Sequence, residues 1–284
     1  MKVIVVGPDY KNYGAASYQH DFMENLKRSS EKYFHYDKRG DIEVKKLLDK
    51  AAFIPDMIFY NHGWLWDNKF IKEIEYCNLK GKWPKKIKHV IFLNKEYNLL
   101  DKKLYAINKY KFDLILTHLH SFQNINTTSV PSVFLPLACD KNKLSKYRFR
   151  KLSNRKYDLY FSGILQNWSY KSLQSDLRKK IQSEIFYCIG DIPLIKKTKY
   201  WNLKIYWKPI YKSRFKNFIS NSLHGKRLDQ KEYFNKLSDS KCVLHTSSPI
   251  GIISTRVFEG IAAGAIGLYS DKSKSLVHSL FPLG

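Results

Sequence analysis

The residues whose types and spacing most clearly suggest a binding site lie between Ser254 and Tyr269, near the end of the chain. Ser254 or Thr255 can cap a short helix that carries Glu259 and stops at Gly264. The first amide N–H groups of a helix have no intrahelical partner, and the helix dipole favours negative charge, so a phosphate can bind there. A carboxylate one turn further in can accept hydrogen bonds from sugar hydroxyls. Phosphate and hydroxyl recognition together are what a nucleotide-sugar site requires.

The segment before this helix could contact a diphosphate. Gly251 would let the diphosphate approach the backbone, and the N–H groups that follow would bind it. A plain N-cap by Ser254 or Thr255 is the alternative, and the two interpretations are compatible. Arg256 could reach either the phosphates or Glu259, and the sequence leaves both open. The residues predicted to bind phosphate here are Gly251, Ile252, Ile253, Ser254, Thr255 and Arg256.

Other candidate residues follow other predicted strands. His62 could serve as a general acid, a general base or a hydrogen-bond donor. Trp64 and Trp66 suit stacking on a sugar face, although they could equally pack their loop onto its own domain. His118 ends a later strand and His245 ends a strand in the second half. Both compete with His62 for the catalytic roles.

The absence of several catalytic motifs from the sequence narrows the range of reactions that we expect. There is no Asp-x-Asp motif, Walker loop, G-x-S-x-G elbow or HExxH motif. The 4 cysteines show no metal-binding spacing, so we expect reduced thiols. We therefore predict no metal and no cofactor besides a nucleotide sugar as co-substrate, with phosphate charge neutralised by lysine, arginine and a helix dipole.

The elements that must position these residues alternate between strand and helix. Nearly continuous apolar strands are typical of a parallel sheet covered on both faces, and their alternation with helices implies βαβ units. A dense basic run at 141–156 predicts a linker between a first domain, 1–140, and a second, 157–284. The predicted fold class is α/β, with two Rossmann-like doubly wound domains facing a cleft. The predicted strands are Lys2–Val6, Tyr33–Tyr36, Met57–Asn61, His89–Asn94, Leu114–His118, Ser132–Leu137, Asp158–Ser162, Glu184–Ile189, Cys242–His245 and Ala265–Tyr269.

The formal net charge of +25 is large for a globular enzyme. It permits nucleic acid, an anionic membrane face or acidic small molecules as partners. Because lysine dominates and Asn, Ile and Tyr are abundant, an AT-biased genome is a further explanation. No apolar run approaches the roughly 18 residues that span a bilayer, and no signal-peptide core is present. We expect a cytoplasmic protein, with peripheral contact on the inner face of an anionic membrane as a refinement.

Several segments together resemble the GT-B glycosyltransferases, specifically the CgeB-like group with a family-four-type carboxyl-terminal domain. The likeness covers most of residues 130–271 in order and spacing, whereas the first half fits the fold with weaker signatures. The segments that carry the resemblance are Leu135–Asp140, Tyr157–Gly163, Lys241–Leu244 and Arg256–Ala265.

The resemblance implies roles for individual residues. Glu259 would hold the ribose hydroxyls of the donor, while Gly163 and a basic residue after it, for which Lys171 is nearest, would lie near the diphosphate. Gly14 is the equivalent of the glycine loop that faces the cleft in the first domain. The chain has Gly251 where family-four enzymes usually carry a second glutamate, so the side-chain contact to the donor sugar is missing or comes from elsewhere.

The activity implied is that of a metal-independent, retaining hexosyltransferase-like enzyme, with the donor sugar and the stereochemistry left open by Gly251. A carbohydrate or lipid-linked acceptor would bind the first domain near Tyr13, Trp64 and Trp66. The alternative is a nucleic-acid-binding protein or a DNA-modifying transferase, because aromatic residues alternate with lysine between Lys196 and Lys231. The sequence also stops in what reads as a loop, so we expect either a fragment or a shortened version of this architecture.

Overall fold

The chain folds into two compact units, unit 1 (Met1–Leu137) and unit 2 (Ala138–Gly284). The predicted α/β class with Rossmann-like sheets is confirmed, whereas the predicted cleft and linker stay predictions. The computed structural model describes residues 1–9, 17–37, 44–62, 83–84, 86–93, 100–137, 140, 142, 145, 150–165, 172–189, 192–200, 202–211, 228–246 and 253–269.

Unit 1 contains a six-stranded parallel sheet in the order β2-β1-β3-β4-β5-β6. Its strands are β1 Lys2–Val6, β2 Lys32–Tyr36, β3 Met57–His62, β4 Lys88–Leu93, β5 Leu114–Thr117 and β6 Ser132–Phe134. Its described helices are α1 Ser17–Ser29, α2 Val44–Ala51 and α3 Leu100–Lys109. The predicted strands of this half agree with the observed ones to within about three residues at each end, and a predicted helix at Asn68–Cys77 lies outside the described residues.

The sheet of unit 1 is buried on both faces, which is why its strands are nearly continuous in apolar residues. Val3 to Val6 in β1 are at most 2% exposed. Phe22 of α1 packs on Phe59 and on Phe92, with ring centroids 5.4 and 5.5 Å apart. The parallel, helix-covered sheet that the sequence predicted is therefore present.

Unit 2 contains a four-stranded parallel sheet in the order β10-β7-β11-β12 and a separate antiparallel pair, β8-β9. Its strands are β7 Tyr157–Leu165, β8 Phe186–Ile189, β9 Ile192–Thr198, β10 Ile205–Tyr211, β11 Ser240–His245 and β12 Ile266–Tyr269. Its described helices are α4 Ser172–Ile185, α5 Gln230–Ser238 and α6 Thr255–Ala262.

The β8-β9 pair corrects the prediction that strand and helix simply alternate through the second half. Only Gly190 and Asp191 separate the two strands, which is the length of a hairpin loop, whereas a parallel connection needs a long crossover. β8 therefore pairs with β9, and β10 takes the place beside β7.

Arg155 joins three backbone segments of unit 2. Its guanidinium donates to the carbonyl oxygens of Arg150 (2.9 Å), Ser240 (2.8 Å) and Ala263 (2.8 Å). Ala263 follows the last turn of α6, so Arg155 complements the negative end of that helix dipole. The residue thereby fixes α6 against the start of β11.

Candidate functional site

The order of the sheet in unit 2 identifies where a ligand would bind. In chain order the strands of this sheet are β7, β10, β11 and β12. The strand that comes after β7, β10, lies on one side of β7, and the next one, β11, lies on the other side. The connections therefore reverse direction between β7 and β11. In open α/β sheets, such a switch point at the carboxyl ends of the strands is the usual ligand crevice.

Helix α6 begins beside this edge, and Ser254 is its N-cap. The Ser254 hydroxyl accepts a hydrogen bond from the Arg256 amide (3.3 Å), and its carbonyl accepts one from the Val257 amide (3.0 Å). The N-cap interpretation is thus the one observed, and Thr255 is the first helical residue. Ile253 is buried, whereas Gly251 and Ile252 lie outside the described residues.

The side chain of Arg256 reaches from α6 across to β7. Its Nη1 donates to the carbonyl oxygen of Ser162. A Cβ added to Gly163 would lie 2.9 Å from that Nη1 and 2.8 Å from the Phe161 ring. Gly163 therefore leaves room for the Arg256 guanidinium, and its predicted place near a diphosphate stays a prediction.

A second arginine, Arg178 of α4, lies at the same edge, and sequence reasoning missed it. It is 5% exposed and donates from Nε to the Thr246 hydroxyl (2.8 Å) just after β11. Its guanidinium lies 5.6 Å from the centre of the Phe161 ring. Burial, and then the positive charge of Arg256, lower the pKa of Arg178 to about 9. Lys171, the basic residue predicted here, lies outside the described residues.

Glu259 faces the interior of unit 2, one turn into α6. Its side chain accepts a hydrogen bond at Oε2 from the Tyr233 hydroxyl (2.7 Å), and the residue is 8% exposed. Burial first, and then the charge of Glu259, raise the pKa of Tyr233 well above its usual value. Tyr233 therefore stays protonated, and its hydroxyl donates a hydrogen bond to the carboxylate. This bond fixes the Glu259 side chain.

His245 ends β11 behind Arg256. Its ring stacks on Tyr269, with centroids 4.9 Å apart and planes at 18°. Burial, and then the charge of Arg256, lower the pKa of His245 to about 3, so the imidazole is neutral at physiological pH. Among the described residues its Nε2 has no hydrogen-bond partner and faces Gly260 of α6.

Of the catalytic and acceptor-side candidates in unit 1, His118 is the one with a described side chain. Its Nδ1 donates to the Leu135 carbonyl (2.6 Å), and its ring meets Phe92 edge to face at 4.6 Å. Burial lowers its pKa to about 4. His62 is the last residue of β3, but its side chain is outside the description. Four further candidates, Tyr13, Gly14, Trp64 and Trp66, also lie outside the described residues.

The buried His118 predicts a loss of stability in acid. Its folded pKa of about 4 lies below the ordinary value of roughly 6.5. The unfolded chain therefore binds a proton that the folded chain excludes, and stability falls as the pH drops from about 6.5 towards 4, by up to about 3 kcal/mol. Urea unfolding across this range should show the slope, and His118→Gln should remove the share of it that comes from His118, whereas buried His245, with a pKa of about 3, continues to contribute. The exposed His120 offers the control, because His120→Gln should leave the slope unchanged.

No group of three or more His, Cys, Asp or Glu residues able to hold a metal ion occurs in the described part of the chain. Cys188 and Cys242 are free thiols. The helices that the structure describes include none long and apolar enough to cross a membrane.

Comparison with known proteins supports the predicted fold. Residues 173–284 match a family model described as Glycosyl transferase-like. Among solved structures, an alpha-glucosyltransferase in complex with UDP and a 13-mer DNA containing a HMU base is 12% identical with a TM-score of 0.52, and the match covers 96% of this chain and 80% of that chain. The same type of enzyme with UDP-glucose and DNA containing an abasic site is 13% identical with a TM-score of 0.53, covering 95% and 80%. No curated protein matches the sequence.

The fold is that of the GT-B glycosyltransferases, as the sequence predicted, and the glycosyl transferase-like match lies within residues 173–284. The narrower assignment to the CgeB-like group stays a prediction.

Proposed function

We propose that the chain transfers a sugar from a nucleoside diphosphate donor, in the first instance a UDP-sugar, to an acceptor hydroxyl. The observation that carries this proposal is the convergence of Arg178 and Arg256 beside the start of α6, at the switch point between β7 and β11. The similar solved structures contain UDP or UDP-glucose, which supports the choice of base.

The electrostatics of this edge favour a diphosphate. Arg178 is buried, and the like charge of Arg256 already depresses its pKa, so the two cations repel each other in a poorly solvated place. A diphosphate would offset this repulsion, and guanidinium groups bind phosphate oxygens through paired hydrogen bonds. The same groups would stabilise the charge that develops on the departing diphosphate. This supports transfer without a metal.

The remaining donor contacts would come from the next turn of α6. We propose that Glu259, held by Tyr233, accepts hydrogen bonds from the ribose hydroxyls, and that Gly251, Ile252 and Ser254 lie along the diphosphate. His245 stays neutral behind Arg256 and adds no charge to the cluster. His62 and His118 remain the proposed catalytic residues on the acceptor side, and retention of configuration remains part of this proposal.

Glu259→Ala is expected to weaken UDP binding by roughly tenfold or more, because charge-assisted hydrogen bonds contribute about 1.5–3 kcal/mol each. Isothermal calorimetry with UDP measures the change. Tyr233→Phe is the companion variant, since it keeps the carboxylate but removes the group that orients it, and a smaller loss is expected. Unchanged UDP affinity in Glu259→Ala would remove this residue from the donor site.

For the acceptor, we propose a carbohydrate or lipid-linked hydroxyl as the first candidate and DNA as the second. The similar structures contain DNA, and the net charge of +25 favours a polyanion, which is why DNA is retained. Transfer of radiolabelled glucose from UDP-glucose to a lipid extract, to oligosaccharides and to DNA with hydroxymethylated bases would separate the candidates. Absence of both sugar transfer and hydrolysis of UDP-glucose to glucose and UDP would contradict the proposed function itself.

A further inference from the structure

Two side chains of β8 in the β8-β9 hairpin of unit 2 pack against the rest of the unit. Phe186 is 6% exposed and meets Trp207 of β10, with ring centroids 5.6 Å apart. Cys188 is partly buried, and its Sγ lies 3.8 Å from the Gln182 carbonyl oxygen of α4. The pairing with β9 is irregular between Phe186 and Cys188, so the outer side of β8 is identified by the exposure of its other two residues.

Those outward residues are large and apolar. Tyr187 is 52% exposed and Ile189 is 69% exposed. On β9, Pro193 is opposite Cys188, so Leu194 belongs to the outer face, where it is 42% exposed. We call Tyr187, Ile189 and Leu194 the hairpin face. An exposed cluster of this kind marks an interaction surface more often than isolated apolar residues do.

Exposed lysines follow β9 along the chain. Lys199 comes directly after β9, and its amide N–H donates a hydrogen bond to the Ile185 carbonyl (2.9 Å) at the end of α4. The turn that follows ends at exposed Lys204 and contains Tyr200 and Leu203, which are 55% and 43% exposed. Apolar side chains beside lysines match the boundary between the acyl chains and the headgroups of a bilayer.

We propose that the hairpin face docks on an anionic lipid bilayer, with Tyr187, Ile189 and Leu194 entering the acyl boundary and the flanking lysines contacting acidic headgroups. The surface is separate from the proposed donor site and does not depend on sugar transfer.

A lipid partner fits this surface better than nucleic acid. Aliphatic side chains such as Ile189 and Leu194 gain free energy by leaving water for acyl chains, whereas single-stranded nucleic acid is held by stacking on aromatic rings. Two aromatic rings of β10 that could have contributed to such a platform, those of Tyr206 and Trp207, are already packed. Tyr206 stacks on Tyr160 at 5.6 Å, and Trp207 stacks on Phe161 at 4.3 Å.

The test is co-sedimentation of the full chain with vesicles of phosphatidylcholine alone or with added phosphatidylglycerol. We expect binding to the anionic vesicles that weakens with salt and falls by roughly tenfold or more in the triple variant Tyr187→Ser, Ile189→Ser, Leu194→Ser. The matched control is Ile54→Ser, Tyr105→Ser, Val133→Ser, three exposed apolar residues of unit 1, which should bind like the unaltered chain.

Calorimetry with UDP separates this proposal from the proposed function. The hairpin variant should keep the UDP affinity of the unaltered chain, which also shows that unit 2 remains folded. No binding to anionic vesicles, or equal binding by the hairpin and control variants, overturns the membrane surface whatever the outcome with UDP. Loss of oligonucleotide binding in the hairpin variant, with vesicle binding unchanged, would assign the face to nucleic acid instead.

Discussion

Replacement of Arg178 by glutamine is expected to lower the affinity for UDP by roughly 10- to 100-fold, with little loss of stability in the free protein. A charge-assisted contact between a buried guanidinium and a phosphate contributes about 1.5–3 kcal/mol. The variant loses the bond to Thr246, but it also loses a buried charge that Arg256 repels. Calorimetry gives the affinity, and thermal melting with and without UDP gives the stabilisation by ligand, which should largely disappear.

Helix α4 supplies a matched control for this substitution. Lys180 lies two residues after Arg178 and is exposed, so Lys180→Gln removes the same formal charge from the surface of the same helix. A long-range effect of net charge would weaken UDP binding equally in both variants, and the effect would vanish at high salt. If Arg178→Gln binds UDP as well as Lys180→Gln does, the diphosphate site proposed at this edge is wrong.

Most of the fold could be predicted from the sequence because its signals are local. Continuous apolar runs identified the buried parallel strands, and β1 was predicted at its observed bounds, Lys2–Val6. The hairpin of β8 and β9 was also locally encoded, in the Gly190-Asp191 pair between two apolar runs, but the expectation of alternating helices masked it. The neighbour relations within each sheet could not be derived, because they depend on contacts between residues far apart in the chain.

The residues of the candidate site also fall into those with local sequence signals and those identified only by long-range contacts. Ser254 and Glu259 could be found from sequence, because a cap and a carboxylate one turn further along are local features of one helix. Tyr233 could not, because its bond to Glu259 joins two helices. Arg178 lies between these cases. It is three, four and seven residues from Ile181, Gln182 and Ile185, which is the spacing of one helix face and indicates an inward side chain. Lys179 and Lys180 beside it are instead typical of a solvated basic surface.

Arg155→Met is expected to destabilise unit 2 by about 3–5 kcal/mol, because three hydrogen bonds from one buried cation disappear and two of the freed carbonyls stay buried. Gly264, which has a φ of 68°, reserves the space beside Arg155, since a Cβ there would lie 3.0 Å from its Nη2. Lysine should rescue only a small part, since one ammonium cannot reach carbonyls on three segments in the fixed geometry of a guanidinium. Urea unfolding of both variants measures the loss.

The comparison variant for Arg155 is Arg150→Met, which breaks an ion pair with Asp239 (2.8 Å) in which Arg150 is 56% exposed and should cost no more than about 1 kcal/mol. Equal destabilisation by the two substitutions would show that the hydrogen bonds of Arg155 stabilise unit 2 no more than an exposed ion pair does.

The position of Arg155 also predicts an effect on UDP binding. Arg155 holds the carboxyl end of α6, whereas Arg256 lies in the first turn of that helix and Glu259 lies near its middle. In conditions where Arg155→Met remains folded, UDP affinity should therefore fall as well, whereas Arg150→Met should bind UDP normally.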